Sequence, residues 1–281
     1  LPILRTLLFV SLAGCAENVH LKTKVPKSNP SYRWNLLVDR IASSDGVRFD
    51  LLQRRQRRLN QYVAWVGEHG QHRDGWTESK EDKRIAHLIN SHNAVVLHNA
   101  IRLGLPDSPD NVNVGLYRWP EAGFYWGTRY KFDGEWSALR HIAIHDTINR
   151  YQDPSLWMGL YDGTKDSPPL RFFTVKGLKK EIRQATRDFI NSDRGMSKTK
   201  SGWAGNPLFF RYQNDFLFWS DAENICDWMT KYAEGERLEW LMTQADTCAL
   251  EQREANRALD KAEPAQTPAT PTTPTEDTKQ Q

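Results

Sequence analysis

The sequence has few cysteines, little net charge and no evident internal repeat, and each shortage excludes a class of protein. Three cysteines in 281 residues are too few for a disulfide-dense secreted scaffold. A net charge of +3 provides no global field that would attract nucleic acid, so we expect no nucleic-acid partner. Hydrophobic residues make up 39% of the chain, which is enough to build one main domain with tails.

The apolar stretch at residues 1–12 is too short to cross a bilayer as a helix, which takes about 20 residues. It contains the charged residue Arg5 and runs into the sequence LAGC, which closes with Cys15. A charged residue, a short apolar segment and small residues at its end are typical of an export signal. The ending resembles the lipobox of bacterial lipoproteins, which implies removal of residues 1–14 and acylation of Cys15.

This resemblance implies a location and a partner. Acylated Cys15 would hold the protein to membrane lipid, because several acyl chains give stable attachment. The next residue is Ala16 rather than Asp, which resembles an outer-membrane address facing the periplasm. An envelope polymer or protein is a possible further partner. The polar residues 15–33 indicate a lipidated tether, and the Pro- and Thr-rich residues 263–281 indicate a disordered tail.

Residues 34–262 predict a single α+β domain, rich in helices and packed around a small antiparallel sheet. Apolar spacing indicates helices over 47–67, 79–103, 137–150 and 174–191. Alternating aromatic residues over 112–136, with turn residues between them, are typical of the sheet. Strands are also expected at 156–161 and 206–212, and closing helices at 221–232 and 236–261.

Two asparagines lie in the most apolar part of the helix expected at 79–103. Asn90 and Asn93 are three residues apart, so they share one helix face. Asparagine is unfavourable inside a helix because its amide competes with the backbone. We therefore expect both amides to be buried and to hold another segment of the chain in place.

His141 and His145 have the spacing of two metal ligands on one helix face. The glutamate of an HExxH motif is absent between them, and no third ligand follows at a spacing typical of metal sites. We expect neither a metal nor a cofactor.

An oxidising envelope would permit a disulfide between Cys226 and Cys248. On a straight helical hairpin turning at Gly235, the two thiols would be offset by about 6 Å along the axis. That offset exceeds what a disulfide tolerates, unless the second helix breaks near Asp246 or Thr247. The pairing therefore stays open.

The helix sequence HLINSHNAVVL and the later DPSLWMGLYDGTKDSPPLR, residues 153–171, resemble the DUF547 domain, whose members show patterns like AFWINAYNALVL and DPRIHFALVCGAASCPPLR. The matching positions are Asn90, Asn93, Asp153, Pro154, Gly163, Pro168, Pro169, Leu170 and Arg171. The sequence LFFRYQNDF at 208–216 resembles a third family element, so the resemblance covers roughly 47–216.

Both cysteines of the family pattern are replaced, by Asp162 and Ser167. Cysteine chemistry depends on a thiolate, and neither replacement provides one. The family has no assigned function, so the expectation is a binding or scaffolding module that is not a thiol enzyme. The resemblance implies a cleft whose binding residues are Asn90, Asn93, Asp162, Ser167 and Arg171.

Two other functions stay open. Ser167, His145 and Asp162 have the residue types of a hydrolase acting on envelope peptides or esters. Proline after Ser167 cannot donate the N–H of an oxyanion hole, so hydrogen bonding of the loop is the simpler role for these side chains. A glycan-binding domain is the second alternative, with an aromatic surface of Trp119, Trp126 and Trp136, although core packing also explains many aromatic residues.

Overall fold

The computed structural model describes residues 16–70, 80–244 and 247–262. The predicted signal segment, Cys15 and the predicted tail at 263–281 lie outside the described residues. Within those residues, no helix combines the length and the apolar character needed to cross a membrane.

The chain folds into the predicted helix-rich α+β domain with small sheets. The helices are α1 (Ser31–Ile41), α2 (Phe49–Arg54), α3 (Gln56–Val66), α4 (Glu81–Arg102), α5 (Leu139–His141), α6 (Asn149–Tyr151), α7 (Leu178–Ile190), α8 (Pro207–Arg211), α9 (Gln213–Phe218), α10 (Ile225–Thr230) and α11 (Gly235–Met242). The strands are β1 (Glu17–Asn18), β2 (Ala42–Ser43), β3 (Gly46–Val47), β4 (Thr128–Phe132), β5 (Glu135–Ala138), β6 (Met196–Lys198), β7 (Trp203–Gly205) and β8 (Glu251–Gln252). A π-helical segment, Ile142–Ile148, joins α5 to α6.

Helix α4 runs through the centre of the domain. It begins with acidic Glu81 and Asp82, which suit the positive end of a helix, and is followed by Gly104 at a φ of +74°. Its interior is buried on nearly every face. Leu88 and Val95 pack into one apolar cluster, with α1 and α3, whereas Ile85 and Ile89 pack into a second, with α7. The helix therefore joins the two halves of the core.

The sheets are small and lie at the edges of this core. Strand β4 pairs antiparallel with β5 and parallel with β1, and β7 pairs antiparallel with β6 and parallel with β8. Strands β2 and β3 form a short hairpin. The β4–β5 hairpin confirms the antiparallel sheet predicted from the aromatic alternation. The predicted helix over 47–67 is present as α2 and α3, with a break at Arg55.

Two predicted strands are helical turns, because an Asp-Pro and an Asn-Pro pair each begin a helix. Asp153 accepts a hydrogen bond from the Ser155 amide at 2.9 Å, and a 3-10 helix follows over Pro154–Gly159. Asn206 accepts from the Leu208 amide at 2.9 Å and starts α8. A capping side chain followed by proline at the first helical position is a start signal. The strand predictions at 156–161 and 206–212 were therefore wrong.

The prediction of a helix over 236–261 was correct only as far as Met242, where α11 ends, and wrong beyond it. Residues 247–262, here called the C-terminal strap, run back across the domain in a mostly extended conformation. The Leu259 amide donates to the Asp107 carbonyl at 2.8 Å, and the Ala262 amide donates to the Val47 carbonyl at 3.0 Å. The strap thus connects the end of the domain to its N-terminal half.

In the described part of the tether predicted at 15–33, the structure shows a short strand and the start of a helix. Strand β1 pairs with β4, and the Val19 amide donates to the Arg129 carbonyl at 2.9 Å. Helix α1 begins at Ser31 and buries Trp34 against Tyr62, with a ring-centroid distance of 5.4 Å. Alternating apolar residues Val19 and Leu21 attach the polar segment to the domain.

Candidate functional site

The two helix asparagines hold the segment that follows the 3-10 helix. Asn93 donates from Nδ2 to the Gly159 carbonyl at 2.9 Å, and its Oδ1 accepts from the Tyr161 amide at 3.0 Å. Asn90 makes the same pair of bonds with Phe173, at 2.7 and 2.9 Å. Each amide therefore satisfies one backbone N–H and one backbone carbonyl in the core. This confirms the expectation that buried amides hold another segment in place.

Residues 162–168, here called the motif loop, lie between these two attachment points. The Ser167 hydroxyl accepts from the Asp162 amide at 2.8 Å and donates to the Pro168 carbonyl at 3.0 Å. Asp162 Oδ1 accepts from the amide and the hydroxyl of Thr164, at 2.9 and 2.7 Å. Both residues at the replaced cysteine positions thus form hydrogen bonds within the motif loop and stabilise its conformation. Gly163, at a φ of +93°, permits the tight turn between them.

The C-terminal strap fixes the motif loop from outside. Arg257 donates from Nη1 to Asp162 Oδ2 at 2.8 Å and pairs with both oxygens of Asp110 at 2.9 Å. Burial raises the pKa of Asp162, but the Arg257 charge and the Thr164 hydrogen bonds outweigh it and lower that pKa to about 2. The Asp162 carboxylate is therefore ionised and fully engaged at neutral pH.

Further ion pairs surround the loop, and their charges balance. Arg253 of the strap pairs with Asp166 at 2.7 Å, and the backbone amide of Asn256 donates to the same carboxylate. The arginines of the network are Arg140, Arg194, Arg211, Arg253 and Arg257, and the acids are Asp110, Glu121, Asp162, Asp166 and Asp260. Five positive charges meet five negative ones, so the network offers no excess charge to a ligand.

His92 lies on α4 beside this network. The bonds of Asn93 to Gly159 and Tyr161 fix its amide, so its Oδ1 faces His92 Nδ1 at 3.2 Å. Nδ1 must therefore carry the proton, which leaves Nε2 as the acceptor. Burial lowers the pKa of His92 to about 4, so the imidazole is neutral at pH 7.

A narrow cavity, here called the motif pocket, opens beside the loop. The residues that line it are His92, Tyr125, Arg140, Ala143, Trp157, Leu160, Asp162, Asp166, Ser167, Pro168, Asn206, Pro207, Leu208, Arg211, Tyr212 and Arg257. Its volume is about 40 Å³, which holds a few waters or one small functional group. The Trp157 and Tyr212 rings stack at its edge, 3.8 Å apart. A polymer chain cannot enter a space of this size.

The structure brings together only part of the predicted site. Asp162 and Ser167 both line the motif pocket, whereas Asn93 is buried and Asn90 borders a different cavity. Arg171 lies at the surface and pairs with Asp188 at 2.6 Å. The structure therefore does not gather the five predicted cleft residues into one binding site.

The histidine pair also lies apart from the motif pocket. His145 is exposed, and its ring lies 4.8 Å from that of His141. It does not line the cavity that Ser167 borders. Among the described residues, no group of three or more His, Cys, Asp or Glu side chains has the arrangement of a metal site.

Cys226 and Cys248 form a disulfide, with their Cα atoms 5.5 Å apart. The axial offset expected for a straight hairpin is absent because α11 ends at Met242 and the backbone turns back at Cys248, where φ is +40°. The bond ties the start of the C-terminal strap to α10. Neither cysteine of the described domain carries a free thiol.

Three contributors to the site were missed by the sequence reasoning. His92 lies beside Asn93 in the apolar part of α4. The two asparagines predicted there to be buried could therefore have indicated a buried histidine as well. Arg140 pairs with Glu121 at 2.8 Å and with the Tyr212 hydroxyl at 2.7 Å. Arg257 lies in a segment predicted as helix, and no local pattern indicates its partners 95 and 147 residues away.

Fold and site together define a helix-rich α+β domain in which the central helix α4 and the C-terminal strap hold the motif loop in place. Residues 76–190 match the family model described as "Protein of unknown function, DUF547". This match supports the resemblance to the DUF547 domain that the two sequence motifs predicted. No curated protein and no solved structure matches the chain.

Proposed function

We propose that this protein is a binding or scaffolding module of the bacterial envelope, held to the outer membrane by lipid on Cys15. The observation that carries the non-catalytic part is the state of the two replaced cysteine positions. Asp162 is ion-paired with Arg257, and the Ser167 hydroxyl is engaged on both its donor and its acceptor side. These groups stabilise the loop, and a structural bond would have to break before either could react.

The two cysteines of the folded domain support the same proposal. Cysteine chemistry needs an accessible thiolate. Cys226 is fully buried and joined to Cys248, so the domain offers no thiol to a substrate. A motif pocket of about 40 Å³ likewise suits a structural cavity better than a cleft for envelope polymers.

The geometry gives little support to the alternative hydrolase. Ser167 is buried, its hydroxyl hydrogen points to the Pro168 carbonyl, and His145 lies on the exposed surface. A general base must come within hydrogen-bond reach of the proton it removes. The histidine that lines the motif pocket is His92, not the predicted His145. The hydrogen bond of His92 to Asn93 holds its ring in the core.

Two reagents test the non-catalytic role. The native protein, without reductant, is treated with iodoacetamide and separately with a fluorophosphonate probe. We expect neither Cys226 nor Cys248 to be alkylated, and equal background labelling of wild type and Ser167→Ala by the probe. Rapid alkylation of either cysteine, or labelling that needs the Ser167 hydroxyl, would overturn the proposal.

Membrane attachment is tested separately, with the full chain expressed in a Gram-negative host. Cys15→Ala should move the protein from the membrane pellet to the soluble envelope fraction, and Cys226→Ser serves as the matched cysteine control. We also expect the mass of the wild-type N-terminus to include acyl chains. Retention of Cys15→Ala in the pellet, or an unmodified N-terminus in the wild type, would refute the anchor.

A further inference from the structure

A second concave site lies on the other side of the wall that forms the motif pocket. Tyr125 and Arg140 line the pocket, whereas their sequence neighbours Trp126 and His141 line a groove of about 370 Å³. We call this the aromatic groove. Its aromatic lining residues are Tyr117, Phe132, Trp126 and Trp136. Unlike the motif pocket, it has room for a ligand of one to two sugar rings.

The rings of the groove are held in place by their surroundings. Tyr117 lies directly on the backbone of Gly127, where an added Cβ would come within 3.0 Å of the tyrosine side chain. The His20 ring lies at a steep angle to the Trp136 ring with a centroid distance of 5.0 Å, and the Lys131 ammonium lies 5.6 Å from the Trp136 ring centre. Trp126 remains 37% exposed. Tyr117 and Trp136 are therefore held in place and Trp126 adds solvent-accessible aromatic surface, so that part of the groove is already ordered before a ligand binds.

The polar residues of the groove carry both signs of charge. Arg129 and His141 carry hydrogen-bond donors and Glu135 and Asp146 carry acceptors, and His141 Nε2 lies 3.9 Å from Asp146 Oδ1. A polyanion would favour a groove with cations alone, and an apolar partner would favour a groove without charged residues. Neighbouring donors and acceptors suit hydroxyl groups, since each hydroxyl both donates and accepts.

We propose that the aromatic groove binds an uncharged pyranose oligosaccharide. The C–H groups on one face of a pyranose ring are weakly positive and pack on the negative face of an aromatic ring. Trp126 and Trp136 provide those faces, while Arg129 and Glu135 hydrogen-bond the hydroxyls at the ring edge. The inference deepens the proposed binding role and places it on a surface separate from the motif loop. Trp119 lies outside the groove, so the site differs from the surface of Trp119, Trp126 and Trp136 in the glycan-binding alternative.

The test is calorimetric titration of the folded protein with cellotetraose, chitotetraose and mannotetraose. Concentrations up to about 5 mM detect dissociation constants near 1 mM. We expect at least one of these chains to bind and to change tryptophan fluorescence. Trp126→Ala should weaken binding about five- to tenfold, which corresponds to the loss of one stacked ring. Arg129→Met should also weaken binding, with an unchanged melting temperature.

Phe218→Ala is the matched control, because Phe218 is an aromatic residue with 81% exposure outside the groove. It should bind the same chain as tightly as the wild type. Absence of binding by all three tetrasaccharides would overturn the inference, and so would equal weakening by Trp119→Ala and Trp126→Ala. Either failure leaves the results for Cys15 and Ser167 unaffected, so failure of the groove and failure of the proposed function are distinguishable.

Discussion

Arg257 and Asp162 form an ion pair at 2.8 Å although 95 residues separate them in sequence. The pair joins the C-terminal strap to the position where the family pattern has its first cysteine. The same guanidinium also holds Asp110, so one side chain fixes three segments of the chain. Residues outside the matched family segment therefore determine the conformation of its central loop.

Arg257→Met should destabilise the protein more than other changes of a charged residue. Removing one partner of a buried ion pair costs about 3–5 kcal/mol, and partial exposure of these side chains lowers our expectation to about 2–3 kcal/mol. Asp162 and Asp110 would be left close together without their cation. Urea unfolding followed by circular dichroism measures the loss.

Lys198→Met is the control for this change, since Lys198 pairs with Glu236 where both side chains are well exposed. Its effect should stay within about 0.5 kcal/mol. Arg257→Lys should fall between the two variants, because lysine keeps the charge but loses the bidentate geometry. Equal stability of Arg257→Met and Lys198→Met would show that the strap does not hold the loop.

Reduction of the Cys226–Cys248 disulfide should loosen the same strap. The bond closes a loop with a sequence separation of 22, and its removal should cost about 3 kcal/mol in chain entropy. Hydrogen exchange at the Leu259 and Ala262 amides should accelerate, because both donate to the body of the domain. Unfolding with and without dithiothreitol gives the change in stability.

The double variant Cys226→Ser/Cys248→Ser controls for effects of the reductant. It should unfold like reduced wild type and show no response to dithiothreitol. If reduction left both the stability and the strap exchange rates unchanged, the ion pairs of Arg253 and Arg257 alone would hold the strap.

Periodicity found most of the elements whose stability comes from a buried face. Helix α4 and the roles of Asn90 and Asn93 could be predicted because apolar spacing and a poorly suited polar residue are both local signals. The C-terminal strap could not, because its conformation depends on Asp110, Asp162 and Asp166, which are distant in sequence. The short helices that follow Asp153 and Asn206 were missed for a different reason: their capping signals were present but were outweighed by the apolar residues that follow.

Asn93→Ala should cost about 2–4 kcal/mol, because it removes the partners of the Gly159 carbonyl and the Tyr161 amide in the core. Asn93→Leu has a similar volume but should not restore stability, since leucine offers neither a donor nor an acceptor. Asn149→Ala, at an exposed helical position, should change stability by less than about 0.5 kcal/mol. Thermal unfolding of the three variants measures these differences, and full rescue by leucine would contradict a hydrogen-bonding role.

Stability should also fall in mild acid because three histidines are held as neutral groups: His92 and His98 are buried and His87 is half-buried. Burial lowers the pKa of His87, His92 and His98 to about 4 in each case, compared with 6.5 for an unburied histidine. Between pH 6.5 and 4 the unfolded chain therefore binds protons that the folded protein does not. The stabilisation is fully present above about pH 6.5 and is lost as the pH falls towards 4.

Each histidine contributes at most about 1.4 kcal/mol per pH unit in this range, so the three together give a slope of up to about 4 kcal/mol per unit. Urea unfolding at pH 7.5, 6.5 and 5.5 measures that slope. His98→Gln should lower it by about one third, since glutamine can still hydrogen-bond the Tyr130 hydroxyl, which lies 2.8 Å from His98 Nδ1. His145→Gln, at an exposed position, is the matched variant. A slope near zero between pH 6.5 and 5.5, or an equal reduction by His98→Gln and His145→Gln, would contradict buried neutral imidazoles as the cause.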